Sequence, residues 1–91
     1  MYMCFYVYIL YSASLDKYYI GFTGDILEER IRKHNSIHKG FTGKAKDWVL
    51  KFSQAFKSKQ DAISKERDIK NQKSRRYLEV LISSADSEHP A

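Results

Sequence analysis

Two β-forming runs, Cys4–Tyr11 and Lys17–Thr23, are joined by the short polar connection Ser12–Asp16, and this closeness constrains the fold more than any other feature of the chain. Phe5, Tyr6, Val7, Tyr8 and Ile9 are β-branched or aromatic, and both faces of the first run are apolar. That is the pattern of a strand covered on each side. A connection of this length closes a hairpin. Side chains alternate along a strand, so Tyr8 and Tyr19 share a face only if paired residue numbers sum to an odd value. That register is the expectation.

The rest of the chain continues the pattern with helices. Gly24 and Asp25 end the hairpin, and Asp25 is the expected N-cap of a helix reaching about Asn35. Ser36–Asp47 carries Gly40, Gly43, Lys39, Lys44 and Lys46, and reads as a basic loop. Trp48–Ala55 is the third expected strand, with Trp48, Leu50 and Phe52 on one face. Ser58-Lys59-Gln60-Asp61 resembles a variant capping box opening a helix to about Gln72. Ser74 starts a further helix with Leu78, Leu81 and Ile82 as its apolar stripe. A single domain over residues 1–83 and a flexible tail over 84–91 complete the expected organisation.

Ninety-one residues supply one modest core. A hydrophobic content of 43% suits a globular chain and is too high for a disordered one. Sixteen Lys and Arg against eleven Asp and Glu leave a net charge of +5, which favours polyanionic partners, although simple solubility accounts for charge almost as well. Cys4 is the one cysteine, so an internal disulfide, a CxxC redox pair and a cysteine-rich zinc site are excluded; a reducing cytoplasm is the expected setting. The opening MYMCFYVYIL lacks a basic leader and is too short to span a bilayer, so no membrane partner is expected.

The sharper signal is where charge falls on the helices. Leu27, Arg30, Ile31 and His34 follow the i, i+3, i+4, i+7 spacing of a core-facing stripe, while Glu28, Glu29, Arg32 and Lys33 take the opposite side. On the next helix Glu66 falls between Ala62 and Ile63, with Ile69 on the same stripe. Burying an unpaired charge costs several kcal/mol in practice, so inward ionisable groups tend to be paired, metal-bound or catalytic. Bland readings exist for each: a satisfied core histidine, a snorkelling Arg30, and a Glu66–Lys70 helix pair worth about 0.2–0.5 kcal/mol. Needing all three together favours a shared site.

The triplets Tyr6-Val7-Tyr8 and Tyr19-Ile20-Gly21, followed by LEERIRKHN and DAISKERDIK, resemble the GIY-YIG nuclease superfamily over roughly Cys4–Ile82, and its small stand-alone bacterial branch in particular. The departure is Tyr6 for glycine and Val7 for isoleucine in the first triplet, and no equivalent of the downstream asparagine of some branches is placed. The resemblance implies an α/β fold, a small three-stranded antiparallel sheet flanked by helices in the order β-β-α-β-α-α. It also implies metal-assisted phosphodiester hydrolysis. Glu66 would hold one Mg²⁺ or Mn²⁺; Tyr8 would accept the proton of the attacking water, with Tyr19 orienting the water or the phosphate. Arg30 would favour the Tyr8 phenolate and grip the phosphate, and His34 would relay the proton. Tyr2, Tyr6, Tyr11, Tyr18 and Tyr77 read as packing.

Gly21, Lys39, Thr42, Lys44 and Lys46 are the expected nucleic-acid contacts, with Lys65, Arg67, Lys73, Arg75 and Arg76 as further backbone anchors. The implied partner is nucleic acid, DNA ahead of RNA, with a protein partner as a source of specificity. A structure-selective or partner-directed endonuclease of repair or recombination is the leading expectation. A catalytically weak nucleic-acid-binding module and a basic protein-interaction adaptor are the alternatives.

Overall fold

The computed structural model describes residues 4–36 and 38–88. Its elements run β1 (Phe5–Ser12), β2 (Lys17–Thr23), α1 (Leu27–His34), a 3-10 turn (Phe41–Lys44), β3 (Trp48–Phe56), α2 (Lys59–Gln72) and α3 (Arg75–Glu88). The three strands form one antiparallel sheet in the order β2-β1-β3. The central strand is therefore the one whose sequence is apolar on both faces. Tyr8 pairs with Gly21 and Leu10 with Tyr19, an odd sum, so both phenols of interest stand on one face.

Each face has its own core. Val7 and Ile9 pack with Phe52, with Ala62 and Ile69 of α2, and with Leu78 of α3. Tyr8 and Leu10 pack with Ala45 and Trp48, joined by Leu27 and Ile31 of α1. Side chains of this kind stabilise by about 1.5–3 kcal/mol each when fully buried. The two cores account for the sheet lying between α1 on one side and α2 with α3 on the other.

Trp48, Leu50 and Phe52 do not share a face. Leu10 pairs with Leu50 but Ile9 pairs with Phe52, so Lys51 is an extra residue in β3. This bulge reverses the alternation and sends Phe52 to the α2 side while Trp48 stays on the α1 side. Asp25 is not the N-cap either. Its backbone N–H donates to Thr23 Oγ1 at 3.0 Å, and the helix starts one residue later, with Ile26 at the cap and no side-chain cap bond. Ser58 caps α2 as expected, its hydroxyl accepting from the Asp61 N–H, and the Tyr77 N–H donates to the Ser74 hydroxyl at the start of α3. The basic loop contains the 3-10 turn, and α3 extends to Glu88, beyond the start of the expected tail. Tyr2 and the last residues of that tail lie outside the described residues.

Two side-chain clamps hold the α1 face in place. The Asn35 amide donates to the Trp48 carbonyl at 3.0 Å and accepts from the Trp48 N–H at 2.8 Å, tying the end of α1 to the start of β3. Asp47 accepts from the Ser12 hydroxyl at 2.6 Å and the Ser14 N–H at 2.8 Å, which keeps its carboxyl below the usual range. On the opposite side Arg75 is committed to Asp16 at 2.6 Å and to Glu79 at 3.4 Å, and lies over the Tyr18 ring. Arg75 is thus engaged within the protein, and as an exposed pair it contributes little to stability.

Candidate active site

The odd register places Tyr8 and Tyr19 under α1, and the helical stripe lowers Arg30 and His34 onto them. Tyr8 Oη lies 2.8 Å from His34 Nε2, and Arg30 Nε donates to the same oxygen at 3.4 Å. The Tyr19 ring stands 4.8 Å from the His34 ring and 6.4 Å from that of Tyr8. Beside them opens a cleft of about 440 Å³, with Tyr19, Arg30, His34, His38, Lys39 and Thr42 in its walls. Four of the five expected catalytic side chains thus meet.

Tyr8 itself does not line the cleft. It is 0% exposed, while Arg30, which does line the cleft, donates to its oxygen. Burial raises its pKa above 10; the hydrogen bond and positive charge of Arg30 pull it down, but burial wins. Arg30 acts in the expected direction, toward the phenolate, but burial outweighs it and the resting group is a phenol. The bond to Tyr8 in turn raises the pKa of Arg30. His34, 6% exposed, is lowered to about 4 by burial first and then by Arg30 and His38, so at neutral pH its ring is uncharged.

A pH dependence of stability follows. Native His34 takes up a proton near pH 4, an unfolded histidine near 6.5. Between those values the unfolded chain binds more protons, so stability falls as pH drops through this window. Thermal midpoints should decline from pH 6.5 toward 4, and NMR titration should find His34 still neutral at pH 5.5; a His34 ring protonating at its ordinary pH would contradict this assignment.

Gly21 is explained by the phenol and not by open surface. A Cβ built there would sit 2.7 Å from Tyr8 Oη, 2.8 Å from its ring and 3.0 Å from Tyr19. The buried ring has nowhere to move, so Gly21→Ala should destabilise by about 1–3 kcal/mol, measured by urea unfolding, and should displace the Tyr8–His34 pair. Unchanged stability would mean the ring has room that the geometry denies.

Glu66 comes from α2, on the other side of the sheet, and is absent from the cleft walls. Its side chain is 18% exposed, pairs with Lys70 at 3.3 Å, and its charge is felt at Tyr8, whose pKa it raises. Both readings from sequence therefore apply: the carboxylate is turned inward and also makes the helix pair. Among the described residues no cluster of three or more His, Cys, Asp or Glu is placed to hold a metal. A lone carboxylate fits an ion of the Mg²⁺ kind, which takes most of its shell from water and phosphate oxygens.

Of the expected nucleic-acid contacts, Lys39 and Thr42 line the cleft. Lys44 lies over the Phe41 ring at 5.7 Å, and Lys46 is exposed outside the cleft. Thr42 is 4% exposed, and its hydroxyl is taken by His34 Nδ1 at 2.9 Å and His38 Nε2 at 2.7 Å. Sequence reasoning passed over His38 and Lys33, both in the cleft walls. The spacing of His34, His38 and Thr42, four residues apart each time, is the signal that was available for the first.

A hairpin bearing two phenols, crossed by a helix that supplies a guanidinium and an imidazole, in the order β-β-α-β-α-α, defines a GIY-YIG-like α/β domain. The family model described as the GIY-YIG catalytic domain matches residues 4–78, and the chain belongs to the GIY-YIG nuclease superfamily. Membership supports a nuclease-type function with nucleic acid as substrate, and nucleases of this family generally use divalent metals. No curated protein and no solved structure matches the chain. Among the described residues no helix is long and apolar enough to cross a membrane.

Proposed function

We propose that this chain is a divalent-metal-dependent endonuclease that hydrolyses phosphodiester bonds in DNA, structure-selective or directed by a protein partner, in repair or recombination. The observation that supports it best is the Tyr8–His34–Arg30 cluster beside a cleft that also carries Lys33 and Lys39. A guanidinium fork matches two phosphate oxygens, and the lysines suit a flanking backbone held by charge, which gives salt-sensitive and sequence-tolerant binding.

In this reading a phosphate entering the cleft draws Arg30 outward, since its bond to Tyr8 is long at 3.4 Å. The phenol oxygen is then open to the attacking water and accepts its proton while His34 Nε2 receives the phenol's own. Tyr19, whose hydroxyl makes no hydrogen bond among the described residues, orients the water or the phosphate from the cleft wall. Glu66 would hold one Mg²⁺ or Mn²⁺, which when bound supplies charge stabilisation at phosphorus and the leaving oxygen.

The test is incubation of the purified protein with branched, single-stranded and duplex DNA, and with matched RNA, in Mg²⁺ or Mn²⁺ and in chelator. Metal-dependent cuts in DNA, strongest on one structural class, are expected. Binding without cleavage would leave the non-catalytic nucleic-acid module, which the complete burial of Tyr8 favours.

A further inference from the structure

The hydrogen bonds around His34 continue past it to the surface. Tyr8 Oη is 2.8 Å from His34 Nε2, His34 Nδ1 is 2.9 Å from Thr42 Oγ1, Thr42 Oγ1 is 2.7 Å from His38 Nε2, and His38 Nδ1 is 2.8 Å from the Ser36 carbonyl. Tyr8 has no contact with solvent, whereas His38 is exposed. Two contacts hold the residues around Thr42. Trp48 Nε1 donates to the Thr42 carbonyl at 2.8 Å, and a Cβ on Gly43 would collide with the His38 carbonyl.

The direction of the chain follows from its outer end. A carbonyl oxygen only accepts, so His38 Nδ1 carries a hydrogen, and a neutral His38 must accept at Nε2 from the Thr42 hydroxyl. With its one hydrogen so placed, Thr42 accepts from His34 Nδ1–H. That leaves His34 Nε2 bare, and Tyr8 donates to it. Every member is in the state needed to pass a proton outward.

We propose that Tyr8, His34, Thr42 and His38 form a proton outlet, through which the proton taken from the attacking water leaves the buried phenol and reaches solvent at His38. This rests on the nuclease reading above. As the water oxygen bonds to phosphorus, its O–H bond breaks and that proton goes to Tyr8 Oη. The phenol's own proton passes to His34 Nε2, the Nδ1 proton of His34 to Thr42 Oγ1, and the hydroxyl proton of Thr42 to His38 Nε2. Tyr8 is again a phenol, His34 has exchanged tautomers, and His38 is an imidazolium that gives its proton to water or buffer. The P–O bond to the leaving oxygen breaks, and that oxygen takes a proton from solvent, so the balance is one water added.

The arrangement answers a difficulty of the site. Burial holds Tyr8 protonated in the resting state, and once the attacking water occupies the opened side of its oxygen the phenol's own proton needs a different way out. Arg30 on α1 and Tyr19 on β2 flank His34, and Lys39 shares the cleft. His38 and Thr42 touch no reacting atom and act as positioning and transfer residues through His34.

Two measurements test the outlet. Long-range proton–nitrogen NMR of the labelled protein at neutral pH needs no turnover: His34 and His38 should both carry their hydrogen on Nδ1, and an Nε2–H tautomer at either would overturn the proposal. For kinetics, DNA cleavage with Mn²⁺ is followed in dilute buffer. His38→Ala should lose about tenfold or more in rate and regain it as imidazole is added. Thr42→Val should be slow with or without imidazole, and Thr42→Ser, which keeps the hydroxyl, should recover the lost rate. A His38→Ala protein as fast as the parent, or one that imidazole fails to restore, would overturn the outlet. A parent protein that cuts no DNA overturns the nuclease reading instead, and the tautomers still decide the direction of the hydrogen bonds.

Discussion

Arg30→Ala should lower the single-turnover rate of DNA cleavage by about 10²–10³-fold, the usual cost of removing a donor aimed at transition-state charge. In the proposed mechanism the guanidinium has two jobs in the cleft. It donates to Tyr8 Oη and faces the opening where a phosphate would lie. Arg30→Lys should recover little, because an ammonium keeps the charge but loses the planar fork that spans two oxygens. The fold should survive both changes, since the core of this face is made by Leu10, Trp48 and their neighbours and not by Arg30. Thermal melting beside the rate measurement separates the effects: a slow variant with a parental midpoint is the expected outcome. Cutting at the parental rate by Arg30→Ala would place the chemistry elsewhere.

The second large effect is expected at Glu66. Glu66→Gln keeps the size and inward direction of the side chain but removes the charge, and the rate at any metal concentration should fall by roughly 10²-fold or more, reflecting the several kcal/mol that a bound ion lends the transition state. The rate as a function of Mn²⁺ concentration is the measurement. Weakened but saturable dependence would mean that other groups share the ion. Full activity in Glu66→Gln would remove the carboxylate from the mechanism and leave its pairing with Lys70 as its role.

Much of this site was legible because it rests on periodicity. Alternation by two put Tyr8 and Tyr19 on one face once the hairpin was inferred, and the stripe Leu27, Arg30, Ile31 and His34 turned inward as its spacing requires. What escaped depends on tertiary context. The extra residue at Lys51 cannot be seen in a strand-like run, yet it sends Phe52 to the other core. Asp25 looks like a cap, but the Thr23 hydroxyl takes its backbone N–H and moves the helix start. The balance at Tyr8 between Arg30 and burial is settled by depth, which the sequence does not carry. Thr42 read as a surface contact because it sits among lysines; the Trp48 ring, bonded to its carbonyl, holds it inside instead.

The most demanding part of the proposed mechanism joins the two sides of the sheet, since an ion that Glu66 would hold has to act at the phenols under α1. Paramagnetic broadening by Mn²⁺ reads it directly, with a phosphorothioate DNA that resists cleavage bound to the protein. Tyr19 and His34 resonances should broaden at low Mn²⁺, and the broadening should vanish in Glu66→Gln. Broadening confined to residues remote from these rings, or unchanged in Glu66→Gln, would contradict the account.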